Sequence, residues 1–228
     1  ILDPFDLWIK KKFPETKKFS VLDIGANIGN HTVFFSERFL KIFAYEPVVK
    51  NFKLLKLNTE DLNNVKIFNY GVSDVEEEKN INIISDNLGG TSTKDNNKKD
   101  LEKKISIEKI KLKNLNKENI LNDKISLVKI DTEGMEYQVL NGISDIINRD
   151  APIILYEIIN FDEILNDNSK TFNLLKSFGY SNFYTIKKKK NNFTNFFLKY
   201  FLDEKFEVVK LSEIKKVNDY TGMIIAYV

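Results

Sequence analysis

The stretch Val21–Thr32, VLDIGANIGNHT, decides the fold class of this chain. The apolar run Phe19–Ile24 is typical of a buried strand, and beyond Gly25 and Gly29 the apolar residues recur at helical spacing. Glycine permits a tight turn that brings backbone close to a ligand, and free N–H groups at a helix start favour an anionic group. The stretch therefore predicts a strand–turn–helix unit that binds a small ligand.

The spacing of this turn does not match the common nucleotide-binding loops. Three residues separate Gly25 from Gly29, so GxGxxG is absent, and no Gly-Lys-Ser/Thr follows as in a P-loop. A pyrophosphate is therefore a poor match. A ligand with both an ammonium and a carboxylate fits better, with Asp23 facing the ammonium and backbone N–H groups facing the carboxylate. The alternative is a plain tight turn without a ligand.

Outward from this unit, strand and helix patterns alternate along the chain. Such alternation with short connections predicts an α/β fold of the Rossmann-like kind, with a mostly parallel sheet and helices on both faces. We expect a helical lead-in at 1–18 and one domain at 19–228. Further strands are predicted at 42–45, 65–70, 126–130, 152–158, 180–186 and 222–228, extra strands at 80–84 and 105–112, a polar loop at 187–192, and helices at 28–39, 48–59, 135–147 and 164–178.

The composition limits the classes of function. A net charge of +2 gives no general drive toward nucleic acid, and the absence of cysteine excludes disulfides, thiolate metal sites and a cysteine nucleophile. No apolar run approaches the ~20 residues that span a bilayer, and no signal peptide opens the sequence. We expect a cytoplasmic protein. Because the sequence begins with Ile1, a longer parent chain stays open, as does a homo-oligomer.

Polar residues after the next two strands extend the predicted cofactor site. Glu46 closes the second strand, 23 positions after Asp23. In Rossmann-like folds, an acid at about that distance accepts hydrogen bonds from ribose hydroxyls. Ser73 and Asp74 follow the third strand, where an adenine amino group would lie. The predicted cofactor site therefore consists of Asp23, Gly25, Ala26, Asn27, Gly29, Glu46, Ser73 and Asp74.

The stretch Lys129–Gly134, KIDTEG, holds the candidate catalytic groups. Asp131 and Glu133 lie at the C-terminal end of the fourth strand, the edge where open α/β sheets bind ligands, and on an extended chain both point the same way. Such carboxylates can act as a general base, as metal ligands or as acceptors for a substrate hydroxyl. Alternatively, Glu133 or Glu136 caps the next helix. Glu157 ends the fifth strand and points into the same region.

Several motifs together resemble the FkbM family of methyltransferases. They are LDIGANIGNHT, YEP, GVSD, LVKIDTEGMEYQVLNG and ILYEI, which run from about Val21 to Ile158. The resemblance implies a class I methyltransferase fold that uses S-adenosylmethionine (SAM) and O-methylates sugars, glycans or hydroxylated natural products. One departure is that members usually carry a Leu-Asp pair before the fourth core strand, where this chain has Leu112, Lys113 and Asn114. Any role of that acid is missing here.

The resemblance implies direct methyl transfer to a sugar or glycan hydroxyl, as in polysaccharide biosynthesis. The hydroxyl must lose its proton as it attacks, so a base is needed. Asp131 or Glu133 is the predicted base, and His31, the only histidine, is the alternative. A lone histidine at this position can equally be structural or merely exposed. Carboxylates also suit Mg²⁺, but nothing in the sequence requires a metal, and no metal site is predicted.

Two other functions stay open from the sequence. An NAD-dependent sugar dehydrogenase or epimerase would need GxGxxG and a catalytic Tyr-Lys pair. A non-catalytic domain that binds SAM or a nucleotide would not need carboxylates at the strand ends.

We also expect the polar loop at 87–100, with Gly89 and Gly90, to form part of the acceptor pocket or its lid.

Overall fold

The computed structural model describes residues 2–84, 91–92, 105–117, 122–158, 164, 169–188, 206–213 and 220–228. The strands in chain order are β1 Ser20–Ile24, β2 Lys41–Tyr45, β3 Val65–Phe68, β4 Gly71–Val72, β5 Glu77–Ile84, β6 Thr91–Ser92, β7 Ile105–Lys113, β8 Ile125–Ile130, β9 Ile153–Glu157, β10 Asn182–Lys188, β11 Phe206–Lys210 and β12 Tyr220–Tyr227. The α-helices are α1 Leu2–Lys12, α2 Asn30–Ser36, α3 Val49–Asn58, α4 Glu136–Gly142, α5 Ser144–Asp150 and α6 Lys170–Ser177.

The main sheet has eight strands in the order β11-β10-β12-β9-β8-β1-β2-β3. The pairs from β9 to β3 are all parallel, whereas β12 runs antiparallel to both of its neighbours. Chain order reverses between β1 and β8. In open α/β sheets, ligands bind at the carboxyl ends of the strands beside such a reversal. The predicted α/β fold with a mostly parallel sheet is confirmed.

Helices cover both faces of the main sheet, which explains why its central strands are apolar throughout. Every residue of β1 and β8 is buried. On one face, Leu22 and Val128 pack with residues of α4, α5 and α6. On the other face, Val21 and Leu127 pack with residues of α1 and α2. Strands buried on both sides lose the alternation of half-exposed strands and become continuous apolar runs.

A second sheet of four strands, in the order β4-β7-β5-β6, is inserted between β3 and β8 in the sequence. The alternating patterns at 80–84 and 105–112 predicted its two long strands, β5 and β7, and the structure pairs them antiparallel. Ile81, Ile110 and Leu112 turn inward and pack with Val48 and Met135. Glu78 and Lys109 pair on the exposed side. The inserted sheet therefore has one apolar face, and that face covers part of the main domain.

The structure differs from several local predictions and adds a strand that was not predicted. The helix predicted at 135–147 is two helices, α4 and α5, because buried Ile143 leaves the helical conformation with φ −124° and ψ 17°. Strand β11 was not predicted. Lys187 and Lys188 of the predicted polar loop instead end β10. Helix α6 begins after Ser169, whose hydroxyl accepts a hydrogen bond from the Phe172 N–H, and ends just before Gly179. Residues 189–192 of the predicted loop at 187–192 and most of the predicted loop at 87–100 lie outside the described residues.

Within the described part of the chain, no helix is both long enough and apolar enough to cross a membrane.

Candidate functional site

The turn after β1 brings two strand ends into backbone contact. Gly25, Asn27 and Gly29 have left-handed φ values of 75°, 53° and 96°. A Cβ on Gly25 would lie 1.9 Å from the Asp131 carbonyl oxygen, so only glycine fits between the ends of β1 and β8. The N–H groups of Gly25 and Ala26 both donate to the Tyr45 carbonyl at 3.0 Å. These contacts tie the turn to the end of β2.

Glu46, directly after β2, supports the turn from the side of the cleft. Its carboxylate accepts hydrogen bonds from the N–H groups of Asn27 at 2.8 Å and Val48 at 2.9 Å. Burial raises the pKa of Glu46, although these two hydrogen bonds act in the opposite direction. A carboxylate has about four lone-pair positions, so Glu46 can still accept hydrogen bonds from a ligand in the cleft that it lines.

The structure corrects the role expected for Asp23. Its side chain is 0% exposed and accepts a hydrogen bond from the Thr32 hydroxyl at 2.6 Å. The ammonium that faces it belongs to Lys129, whose Nζ lies 3.1 Å from Asp23 Oδ1. Asp23 therefore binds a cation of the protein itself and is out of reach of a ligand ammonium.

Lys129 is a buried cation that sequence reasoning missed. Its side chain is 1% exposed, and its Nζ donates to the Gly25 carbonyl at 2.7 Å. A second carboxylate, Asp131 Oδ2, lies 3.5 Å from the same nitrogen. Burial lowers the pKa of Lys129, but the carboxylates of Asp23 and Asp131 outweigh burial and raise it overall. Lys129 is therefore charged and joins the glycine turn to the acidic edge.

Asp131 and Glu133 both line the cleft at the end of β8. They do not share a face of an extended chain as expected, because Glu133 has a left-handed φ of 54°. Burial raises the pKa of Glu133, and the charges of Asp131 and Glu136 add to the shift. Glu136 accepts hydrogen bonds from the Gly134 N–H at 2.9 Å and the Thr132 hydroxyl at 3.2 Å. Glu136 therefore closes the turn before α4, and no side chain makes a cap hydrogen bond at the start of that helix.

Glu157, at the end of β9, lies next to Asp131 and is hydrogen bonded to it. Burial, this hydrogen bond and the charges of Asp131, Glu133 and Glu136 raise the pKa of Glu157 to about 7. A carboxyl group with such a pKa exchanges its proton near neutral pH. Sequence reasoning placed Glu157 in this region but did not include it among the candidate catalytic residues.

His31 lies in a second hollow, on the other side of the glycine turn from the main cleft. This hollow is also lined by Asn30, Lys129 and Asp131. Burial lowers the pKa of His31, and the charge of Lys129 lowers it further. The imidazole is therefore neutral at neutral pH and can accept a proton. Its ring also packs near Phe35, with ring centroids 6.2 Å apart, which suits the structural alternative.

The main cleft is lined by both polar and apolar residues. The polar ones include Asn27, Glu46, Asn51, Asp131, Thr132 and Glu133, and the apolar ones include Pro47, Val48, Val72, Ile81, Ile110, Leu112 and Met135. The second hollow shares Gly25, Asn27 and Asp131 with it, so the two spaces meet at the turn. Asn27 Oδ1 is buried there without a hydrogen-bond partner among the described atoms. A ligand with both an apolar part and a polar part suits this lining.

Some predicted cofactor residues lie away from both spaces. Gly29 faces α3, where a Cβ would lie 2.8 Å from Leu55 Cδ1. Ser73 is 1% exposed, and its hydroxyl donates a hydrogen bond to the Asp74 carboxylate. Gly71 and Val72, and not Ser73 or Asp74, line the cleft. The side chain of Asn114, in the stretch where family members carry a Leu-Asp pair, donates to the Asp74 carbonyl at 2.8 Å and so is structural.

Among the described residues, no group of three or more acidic or histidine side chains could hold a metal ion.

The fold and this cleft define a class I methyltransferase. The family model "Methyltransferase FkbM domain" matches residues 23–181, so the chain belongs to the FkbM family of SAM-dependent methyltransferases. No curated protein matches the sequence significantly.

Two solved structures share the fold. Methyltransferase FkbM from Methylobacillus flagellatus has 15% identity and a TM-score of 0.54, over 92% of this chain and 44% of that chain. A Streptococcus mutans protein described as a methyltransferase, in complex with SAH, has 11% identity and a TM-score of 0.50, over 99% of this chain and 98% of that chain. The present chain thus spans less than half the length of the Methylobacillus protein.

Proposed function

We propose that this chain is a SAM-dependent O-methyltransferase whose acceptor is a hydroxyl of a sugar, a glycan or a related natural product. The observation that carries the proposal is the position of Asp131, a partly exposed carboxylate where the main cleft and the second hollow meet. A carboxylate at that point can take the proton of an acceptor hydroxyl. The family and the fold supply the methyl-transfer class, and this carboxylate favours oxygen as the acceptor atom.

The residues present fit SAM as the methyl donor. The buried carboxylate of Glu46 suits the two ribose hydroxyls, and the apolar walls formed by Val48, Val72 and Ile110 suit adenine. Asn27 offers an unpartnered buried oxygen beside the turn. The amino-acid end of the donor fits the second hollow, which Ile28 and Asn30 line at the start of α2. SAM supplies a methyl group that is already activated on a sulfonium sulfur.

The protein's own task is to align the acceptor and to remove a proton. A sugar hydroxyl is a weak nucleophile at neutral pH, and a positioned base typically contributes about 10²–10⁴-fold in rate. Asp131 is the proposed base, because it lies at the junction of both spaces. Glu133 lines only the main cleft, where it can hold a neighbouring hydroxyl of the acceptor. Neutral His31 lies in the second hollow and is the alternative base.

Transfer of a radiolabelled methyl group from SAM tests this proposal. The acceptors are monosaccharides, nucleotide sugars, oligosaccharides and hydroxylated aromatic compounds, with amine-bearing compounds as the comparison. Asp131→Asn should bind SAM nearly normally and lose most turnover, and Glu133→Gln should chiefly raise the acceptor KM. Glu60→Gln changes an exposed carboxylate far from the cleft and should match wild type. Methylation of amines alone, or full activity of Asp131→Asn and loss in His31→Ala, would contradict the proposal.

A further inference from the structure

Asp131 and Glu157 occupy equivalent places on neighbouring parallel strands. β8 pairs with β9 in a register that ends at Ile130 opposite Tyr156, so Asp131 and Glu157 are the next residues on each chain. After burial, a hydrogen bond with Asp131 is the largest cause that raises the pKa of Glu157. Two neighbouring carboxylates repel each other when both are ionised, so a proton shared between them stabilises the pair.

The two members of the pair have unequal surroundings. Asp131 has the Lys129 ammonium 3.5 Å from its Oδ2 and opens onto the cleft with a side chain that is 31% exposed. The groups that act on Glu157 are Asp131, Glu133 and Glu136, all of them acidic. On its other side, β12 presents the backbone at Gly222 and the apolar Met223. The Lys129 ammonium therefore lies on the Asp131 side of the pair, whereas the neighbours named for Glu157 are acidic or apolar.

We propose that Glu157 is a positioning residue that acts through Asp131, as the second half of a carboxyl pair that receives the acceptor proton. This inference rests on the proposed function of the cleft. The Lys129 ammonium attracts negative charge at Asp131, whereas the Glu157 carboxylate places a like charge beside it and so favours uptake of a proton by the pair.

In the active form both carboxyl groups are ionised. The O–H bond of the acceptor breaks and its proton passes to Asp131, where it is shared with Glu157. The freed electron pair on oxygen forms the new O–CH₃ bond, and the CH₃–S bond breaks with its electrons remaining on the sulfur. The pair then releases the proton to water before the next cycle.

A measurement on the protein without acceptor tests the pair directly. With ¹³C-labelled aspartate and glutamate, carboxyl NMR resonances should show one group that titrates at about pH 7. Glu157→Gln should abolish that titration, Asp131→Asn should move it to lower pH, and Glu133→Gln should lower it by a smaller amount. The absence of a carboxyl titration above pH 6 in wild type, or its persistence in Glu157→Gln, would overturn the proposal.

The pH dependence of turnover tests its role in the reaction. Wild-type turnover should rise with pH through about 7, because the pair must lose its proton to become the base. In Glu157→Gln the inflection should move to lower pH and the plateau should fall by about tenfold or more, with SAH affinity within about twofold of wild type. Glu157→Asp keeps an ionisable group and should restore part of the plateau rate. This variant also serves as the test of the role if Glu157→Gln folds poorly. An unchanged inflection in Glu157→Gln would overturn the proposal.

The two experiments separate this inference from the proposed function. If wild type shows the shared titration but methylates no acceptor, the carboxyl pair stands and the methyltransferase proposal fails. If wild type methylates hydroxyl acceptors but shows no shared titration, the pair fails and the proposed function stands.

Discussion

At the scale of single residues, the site consists of carboxylates whose properties are set by their partners. Asp23 and Asp131 share the Lys129 ammonium, Glu46 accepts two backbone N–H groups, and Glu157 is surrounded by other acids. Four carboxylates of similar intrinsic chemistry thus have different tasks. Asp23 stabilises the turn, Glu46 is the proposed partner of the ribose, and Asp131 and Glu157 are the proposed proton acceptors.

Replacing Glu46 by alanine tests the proposed ribose site. The change removes the acceptor for the ribose hydroxyls and leaves the N–H groups of Asn27 and Val48 without their partner. An unpaired buried polar group costs about 1–3 kcal/mol, so SAM should bind about 5- to 150-fold more weakly by calorimetry. Glu60→Gln serves as the exposed control. Equal affinity of wild type and Glu46→Ala would remove Glu46 from the donor site.

The sequence allowed several of these residues to be placed, but not their partners. Glu46, Asp131 and Glu133 follow apolar strands, and a strand end is visible in the sequence. The pairing of Asp23 with Lys129 was not predictable in the same way, because it depends on two side chains that meet across the β1–β8 register. A lysine inside an otherwise apolar strand was the available signal, since a buried lysine requires a carboxylate partner.

At the scale of elements, the turn after β1 fixes the distance between the ends of β1 and β8. The contact of Gly25 with the Asp131 backbone places the glycine turn directly beside the acidic edge. The inserted sheet closes the cleft from the other side with Ile81, Ile110 and Leu112. Alternating patterns predicted β5 and β7 of that sheet and not the two-residue strands β4 and β6, and they did not show what the apolar face covers. That requires the tertiary packing against Val48 and Met135.

Two glycine variants separate backbone strain from steric collision. Gly25→Ala introduces a Cβ 1.9 Å from the Asp131 carbonyl oxygen, at a φ of 75°. Gly179→Ala has a similar φ of 89°, but its Cβ would meet no described atom within 4 Å. The left-handed conformation costs about 1–2 kcal/mol in both variants, and only Gly25→Ala must also move a strand end. Urea denaturation should show the larger loss in Gly25→Ala, together with loss of SAM binding. Equal losses would argue against the close contact.

Two isoleucines of β7 test whether the inserted sheet forms a wall of the donor site. Ile110 is 4% exposed and lines the cleft, whereas Ile107 is 71% exposed. Ile110→Ala removes apolar contact with the ligand and should weaken SAM binding by about 1–2 kcal/mol in calorimetry. Ile107→Ala should leave the affinity unchanged. The same affinity in both variants would show that the sheet does not contact the donor.

At the scale of the whole molecule, the order of the strands accounts for the position of the site. The order reverses between β1 and β8, and the carboxyl ends of β1, β2, β8 and β9 supply Gly25, Glu46, Asp131 and Glu157. Alternating strands and helices predicted a mostly parallel sheet from the sequence. The added antiparallel edge strand β11 was missed, because its five residues are short of a full apolar run and none of them is fully buried. Global topology was therefore more predictable than the edges of the sheet.

A crystal structure of the protein with S-adenosylhomocysteine tests the central claim most directly. We expect the ribose hydroxyls to bind the Glu46 carboxylate and the adenine to pack against Val48, Val72 and Ile110. The sulfur atom should lie over the glycine turn and point toward Asp131. The amino-acid end should lie in the hollow beside His31. A ligand bound elsewhere, or in this cleft with its sulfur directed away from Asp131, would contradict the account.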